Sequence, residues 1–130
     1  MSTDTRFAFT KIFVDDLDKE ATFYISTFGM SEKARLEMGE GENALEEIIL
    51  TSGRGDDSSF ILWRYLERVT PPAGEATLGF NVADVEAIVR AAESNGGSVV
   101  QPATTIPEAG VVVAFVMDPE GHTLEIVQDL

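Results

Sequence analysis

Few residues in this chain have a type and setting that could do chemistry. Glu125 stands on a run otherwise reading Leu124, Ile126 and Val127, where a carboxylate must either be paired or be held protonated. A carboxylate so placed can serve as a ligand-facing hydrogen-bond acceptor or as a general base, and Lys11 and Arg64 are the cations expected to neutralise it otherwise. The single histidine, His122, comes three residues before Glu125. Residues three apart on a strand face opposite sides, so His122 is expected as a surface-turn residue outside any site built on Glu125. Glu46 and Glu47 are further carboxylates that could join Glu125 around a Mg²⁺ or Mn²⁺ ion. Asp15, Asp16, Asp18 and Glu20 match a calcium loop in charge only, since the required glycine is missing and Asp16 is wanted as a helix cap. Arg54-Gly55-Asp56 reads as a hairpin loop.

The elements that must position these residues occur twice. Val14-Asp15-Asp16-Leu17 returns as Val82-Ala83-Asp84-Val85, and Gly29 returns as Gly97, both at an offset of 68 residues. Phe7 to Val14 alternates as a strand with both faces covered. Asp16 then caps a helix whose stripe of Leu17, Ala21, Tyr24, Ile25 and Phe28 runs to a stop at Gly29. Strands are predicted over 32–38, 45–51 and 59–66. The second half repeats the order with a strand over 77–82, a helix carrying Val85, Ile88, Val89 and Ala92, and strands over 98–101, 111–117 and 122–128. Pro119-Glu120-Gly121 turns the last two into a hairpin, and Pro71-Pro72-Ala73-Gly74 links the halves. The fold class predicted is α+β: two tandem βαβββ modules, about 5–67 and 76–130 around a linker at 68–75, form a cup-shaped mixed sheet with helices on the outer face of a single domain spanning 1–130.

Composition narrows the partners. The chain has 130 residues, no cysteine, and 23 acids against 9 Lys plus Arg, for a formal net charge of −14. That charge repels phosphate backbones and anionic lipid, so neither nucleic acid nor membrane is expected as a partner. The longest apolar run, Val111 to Met117, is far too short to span a bilayer, and the polar start lacks a signal-peptide pattern. A cytoplasmic location is expected.

Val14-Asp15-Asp16-Leu17 followed by Phe23-Tyr24 and Phe28-Gly29-Met30, then Asn95-Gly96-Gly97, then Asp118-Pro119-Glu120-Gly121-His122 leading into Leu124-Glu125-Ile126, together resemble the vicinal oxygen chelate superfamily. That group includes glyoxalase I, extradiol dioxygenases and bleomycin-resistance proteins. The resemblance implies paired βαβββ modules and often a homodimer. It also implies metal ligands, His, Gln or Glu, at one inward position on the first and last strand of each module. Carried over residue by residue, those positions are Phe9, Leu62, Thr77 and Glu125, of which only Glu125 is a good ligand. A divalent Lewis acid needs several converging ligands, so no metal cofactor is expected, an unorthodox divalent site being the alternative.

The cup is expected to be lined by Phe7, Phe9, Lys11 and Phe13, by Phe60, Leu62 and Arg64, and by Thr77, Asn81, Glu125 and Val127. Aromatic walls with a few polar groups suit a small apolar or aromatic molecule. The function expected is metal-free small-molecule binding. An enzyme of the lyase, isomerase or epimerase kind with Glu125 as catalytic base is the first alternative, and a non-catalytic interaction module the second.

Overall fold

The computed structural model describes residues 4–55 and 57–130. Asp56 of the Arg54-Gly55-Asp56 run lies outside the described residues. Strands β1 (Phe9–Phe13), β2 (Ser31–Met38), β3 (Leu45–Thr51) and β4 (Ser59–Tyr65) and helix α1 (Leu17–Phe28) form the first module. Strands β5 (Thr77–Asn81), β6 (Ser98–Ile106), β7 (Val111–Met117) and β8 (Thr123–Asp129) and helix α2 (Val85–Ser94) form the second. The sheets run in the orders β1-β4-β3-β2 and β5-β8-β7-β6. In each, the outer pair β1/β4 or β5/β8 is parallel and the other pairs are antiparallel. This is the predicted pair of βαβββ modules.

Local chemistry explains the boundaries. Asp16 sits in extended backbone and accepts from Lys19 N at 3.0 Å, and Gly29 ends α1 at φ 73°, a left-handed angle that a side chain would resist. Asp84 caps α2 in the same way through Ala87 N. At Gly97 a Cβ would stand 2.5 Å from the Met117 carbonyl and 2.8 Å from the Phe23 ring, so hydrogen is the only substituent that lets α1 approach this turn. Two boundaries differ from expectation by more than one residue. β1 begins at Phe9 rather than Phe7, and β6 continues past Gln101 to Ile106, carrying Pro102 within it. Proline survives there because β6 is an edge strand whose register slips between Val99, Gln101 and Thr104, so no ladder bond is forfeited.

One core joins the modules on their helix side. Ile12, Val14, Tyr24, Leu62, Val85, Val116, Leu124 and Ile126 belong to it, and Phe28 of α1 stacks on Phe80 of β5 with centroids 4.0 Å apart. Polar contacts cross the same boundary. The Glu120 carboxylate, in the β7–β8 turn, accepts from the backbone N–H of Asp15 at 2.7 Å and of Asp16 at 2.8 Å, so the second module satisfies amides at the entry to the first helix. No helix among the described residues is long and apolar enough to cross a membrane.

Candidate functional site

The faces of the two sheets follow from register, because residues paired across a ladder point the same way. Ile12 pairs with Leu62, and both are buried toward α1; Phe60 meets the Tyr24 ring at 4.8 Å. Lys11 pairs with Ile61 and Phe13 with Trp63, so these four lie on the opposite, uncovered face. Phe60, Leu62 and Arg64 therefore turn away from the face expected of them, and Ile61, Trp63 and Tyr65 take their place. The alternation of 59–65 could not decide this, since Phe60, Ile61 and Leu62 are all buried. Parallel pairing with β1 decides it. Phe7 precedes β1 and is 74% exposed, its carbonyl accepting from Ser58 Oγ.

In the second module Leu124 and Ile126 enter the core, while Thr77, Asn81, Glu125 and Val127 share the uncovered face. Thr77 heads β5 and pairs with Thr123, two residues before Glu125; Phe9 heads β1 and pairs with Ser59, two residues before Ile61. Ile61 is thus the counterpart of Glu125, in place of Leu62. The four inward positions carry Phe9, Ile61, Thr77 and Glu125, and a benzyl group, a sec-butyl group, a hydroxyl and one carboxylate do not fit a divalent Lewis acid.

The uncovered face of the first module is an aromatic wall. Phe13 stacks on Trp63 at 5.5 Å and on Tyr65 at 5.5 Å, with interplanar angles of 16° and 18°. Lys11 Nζ lies 4.2 Å above the Trp63 ring and 3.2 Å from the buried Glu47 carboxylate, while the Arg68 guanidinium covers Tyr65 at 4.6 Å. Arg64 pairs with Glu46 at 3.0 Å. Neither Lys11 nor Arg64 neutralises Glu125, whose side chain has no hydrogen bond or ion pair among the described residues. Two hollows flank the junction between β1 and β5. An open cleft of about 820 Å³ includes Phe60, Thr77 and Asn81 in its lining, and a smaller one of about 160 Å³ lies between Lys11, Phe13, His122 and the 71–76 linker.

A second cluster was not foreseen from the sequence. His122 is 9% exposed, not a surface-turn residue. Its Nδ1 lies 2.8 Å from Asp118 Oδ2 and its Nε2 3.0 Å from the Phe13 carbonyl. A carbonyl only accepts, so Nε2 carries a proton; the Asp118 carboxylate draws one onto Nδ1 as well. Burial pushes this imidazole down, but the Asp118 and Glu20 carboxylates outweigh it and raise its pKa to about 10. Burial also raises Asp118, yet hydrogen bonds from His122 and Tyr24 hold it below its ordinary value; the Tyr24 hydroxyl donates at 2.6 Å. The Tyr24 phenol is itself pushed well up by burial and by Asp118. Glu20 is fully buried, neither carboxylate oxygen has a hydrogen-bond partner, and burial raises its pKa to about 7. The signal for Glu20 was present in the sequence: three residues after Leu17 and four before Tyr24, it falls on the buried stripe of α1.

Glu20, Asp118 and His122 bring one donor atom each within 4.8 Å of one another. Only the Glu20 oxygens are free; those of Asp118 and both nitrogens of His122 are committed. Asp118 Oδ1 accepts from the backbone N–H of Glu120 and of His122, Oδ2 accepts from Tyr24 and His122, and the imidazole is a double donor. The cluster fits a buried imidazolium between two carboxyl groups better than a metal ion.

Comparison with known proteins agrees with the fold. The family model described as the Glyoxalase/Bleomycin resistance protein/Dioxygenase superfamily matches residues 6–126. The chain belongs to this superfamily. Among its superfamily relatives, a probable lactoylglutathione lyase of Vibrio parahaemolyticus is 30% identical over 131 residues, covering 95% of this chain and 91% of that protein. A putative lactoylglutathione lyase of Brassica oleracea is 28% identical over 120 residues, 88% of this chain, which spans only 41% of the plant protein's length. The fold matches a glyoxalase family protein of Bacillus cereus with a TM-score of 0.85 at 20% identity, covering 99% of this chain and 97% of that one.

Proposed function

We propose that this superfamily member binds a small apolar or aromatic molecule on the uncovered faces of its sheets without using the superfamily's divalent metal. The observation that carries this reading is the content of the four inward positions: Phe9, Ile61 and Thr77 offer no strong ligand beside Glu125. The aromatic wall of Phe13, Trp63 and Tyr65 supplies apolar area worth roughly 25 cal/mol per Å² buried. Phe9, Leu36 and Met38 remain exposed on the first module's sheet, and a second copy of the chain covering them completes the proposal as a homodimer. The test is a thermal-shift screen of aromatic and apolar compounds, with and without chelator, beside elemental analysis and light scattering. Ligand-dependent stabilisation that chelator leaves unchanged is expected. A stoichiometric metal ion lost on Glu125→Gln substitution overturns the reading.

A second reading makes the chain an enzyme with Glu125 as general base. It is favoured by the unpartnered Glu125 on an open face and by relatives named as lactoylglutathione lyases. Turnover abolished by Glu125→Gln, with the fold intact, would establish it.

A further inference from the structure

We propose that Glu20, Tyr24, Asp118 and His122 form a proton-loaded clasp that holds the two modules in register and relaxes when Glu20 gives up its proton. The cluster is assembled from both halves: Glu20 and Tyr24 come from α1, while Asp118 and His122 flank the β7–β8 turn. Its outermost contact is the hydrogen bond from His122 Nε2 to the Phe13 carbonyl at 3.0 Å. Phe13 closes β1 and stacks on Trp63 and Tyr65, and His122 immediately precedes β8, the strand that carries Glu125. One imidazole therefore ties the aromatic wall of the first module to the acidic strand of the second.

Charge counting gives the clasp its switch. The imidazolium neutralises Asp118, with which it shares two close contacts, at 2.8 and 3.0 Å. That leaves Glu20, whose Oε1 is 3.6 Å from Nδ1, beyond hydrogen-bonding distance, and whose oxygens meet no donor. With a proton on Glu20 the buried cluster is neutral; without it, the cluster holds one uncompensated negative charge sealed from water. The titratable groups acting on Glu20 are Tyr24 from its own helix and Asp118, Glu120 and His122 from the turn, while β1 contributes the Phe13 carbonyl. Apart from His122, each of these is acidic or neutral, so none but the imidazolium offsets a carboxylate at Glu20. An ionised Glu20 must draw in water or pull Nδ1 away from Asp118. Either displaces the ring that grips Phe13. The direction of the Glu20 shift, upward to about 7, places the transition near neutrality.

The protein carries its own reporter, since Trp63 is the only tryptophan and packs on Phe13. The experiment follows Trp63 emission, melting temperature and the ¹³C carboxyl resonances of labelled glutamate between about pH 5 and pH 9, in wild type and Glu20→Gln. In the wild type one glutamate carboxyl is expected to titrate near neutrality together with a shift in Trp63 emission, while the melting temperature falls by several degrees between the ordinary glutamate value of 4.5 and about 7. The variant should lose that resonance and the Trp63 shift, and its melting temperature should stay level up to about pH 6.5, falling above that only through His122. If Glu20→Gln is too unstable to purify, the wild-type carboxyl titration and its coincidence with the Trp63 transition decide the matter alone. A Glu20 carboxyl that titrates with the ordinary glutamates overturns the proposal. So do parallel profiles for the two proteins, or a stoichiometric metal ion that Glu20→Gln removes.

Discussion

Ile61 and Glu125 occupy the same place in the two modules, each on the closing strand two residues beyond the partner of the first strand's leading residue. An apolar side chain in one half thus stands where a carboxylate stands in the other. Restoring ligands should restore a metal site: Phe9→His, Ile61→Glu and Thr77→His, combined with native Glu125, are expected to bind one zinc or nickel ion per chain by elemental analysis and calorimetric titration. Leu62→Glu in place of Ile61→Glu should instead unfold the protein, because Leu62 is fully buried in the helix-side core. A cost of about 4 kcal/mol or more is expected for that charge in urea denaturation. Metal binding by the Leu62 version would refute the register.

Lys11 and Glu47 form an ion pair in which the acid is buried and the lysine retains 25% of its side-chain exposure. Removing the cation alone strands a buried charge, so Lys11→Met should cost roughly 3 kcal/mol or more. The double replacement Lys11→Met with Glu47→Leu should regain most of that loss. A double-mutant cycle from urea midpoints measures the coupling, and additive losses would show that the pair contributes little.

Tyr24→Phe removes a hydroxyl without leaving a cavity and takes one donor from Asp118. A loss of about 1.5 to 3 kcal/mol is expected, the range for a hydrogen bond to a charged acceptor. The pH dependence has a definite sign. Because the Asp118 pKa is lowered on folding, its contribution is present above the unfolded value and vanishes as pH falls through the folded one. The variant weakens that depression, so its acid unfolding should begin at a higher pH than in wild type, as circular dichroism would record.

His122 shifts the opposite limb. Its pKa rises on folding from 6.5 to about 10, so its stabilisation is complete below the lower value and is lost as pH climbs through the higher. His122→Gln should therefore be most destabilising in the acid to neutral range and approach wild-type stability at the alkaline end. Melting curves across that interval test it, and a constant difference at every pH would contradict the assignment.

Much of the fold was legible because its signals are local. Asp16 and Asp84 cap helices through side-chain oxygens three residues from their donors, and the duplicated strand, cap and helix announce the two modules. The β4 face was not legible. Phe60, Ile61 and Leu62 are all buried, so polarity could not tell which side looks toward α1. His122 was misplaced for a similar reason. Three residues from Glu125 on alternating backbone, it does face away from that acid, but the space on its side is filled by Glu20, Asp118 and the Phe13 carbonyl rather than by solvent.

From the amino-acid order alone came the repeat, the superfamily and the shortage of metal ligands at the inward positions, since capping, turn chemistry and residue type act over a few neighbours. The partners of the charged groups were set only when strands paired and α1 met the second module. Lys11 went to Glu47, Arg64 to Glu46 and His122 to Asp118, leaving the Glu125 carboxylate without a partner among the described residues. Those choices depend on register and on contacts between segments as much as 109 positions apart, such as Phe13 with His122. A one-residue slip reverses every side chain on a strand, and no local pattern forbids it where both faces are apolar.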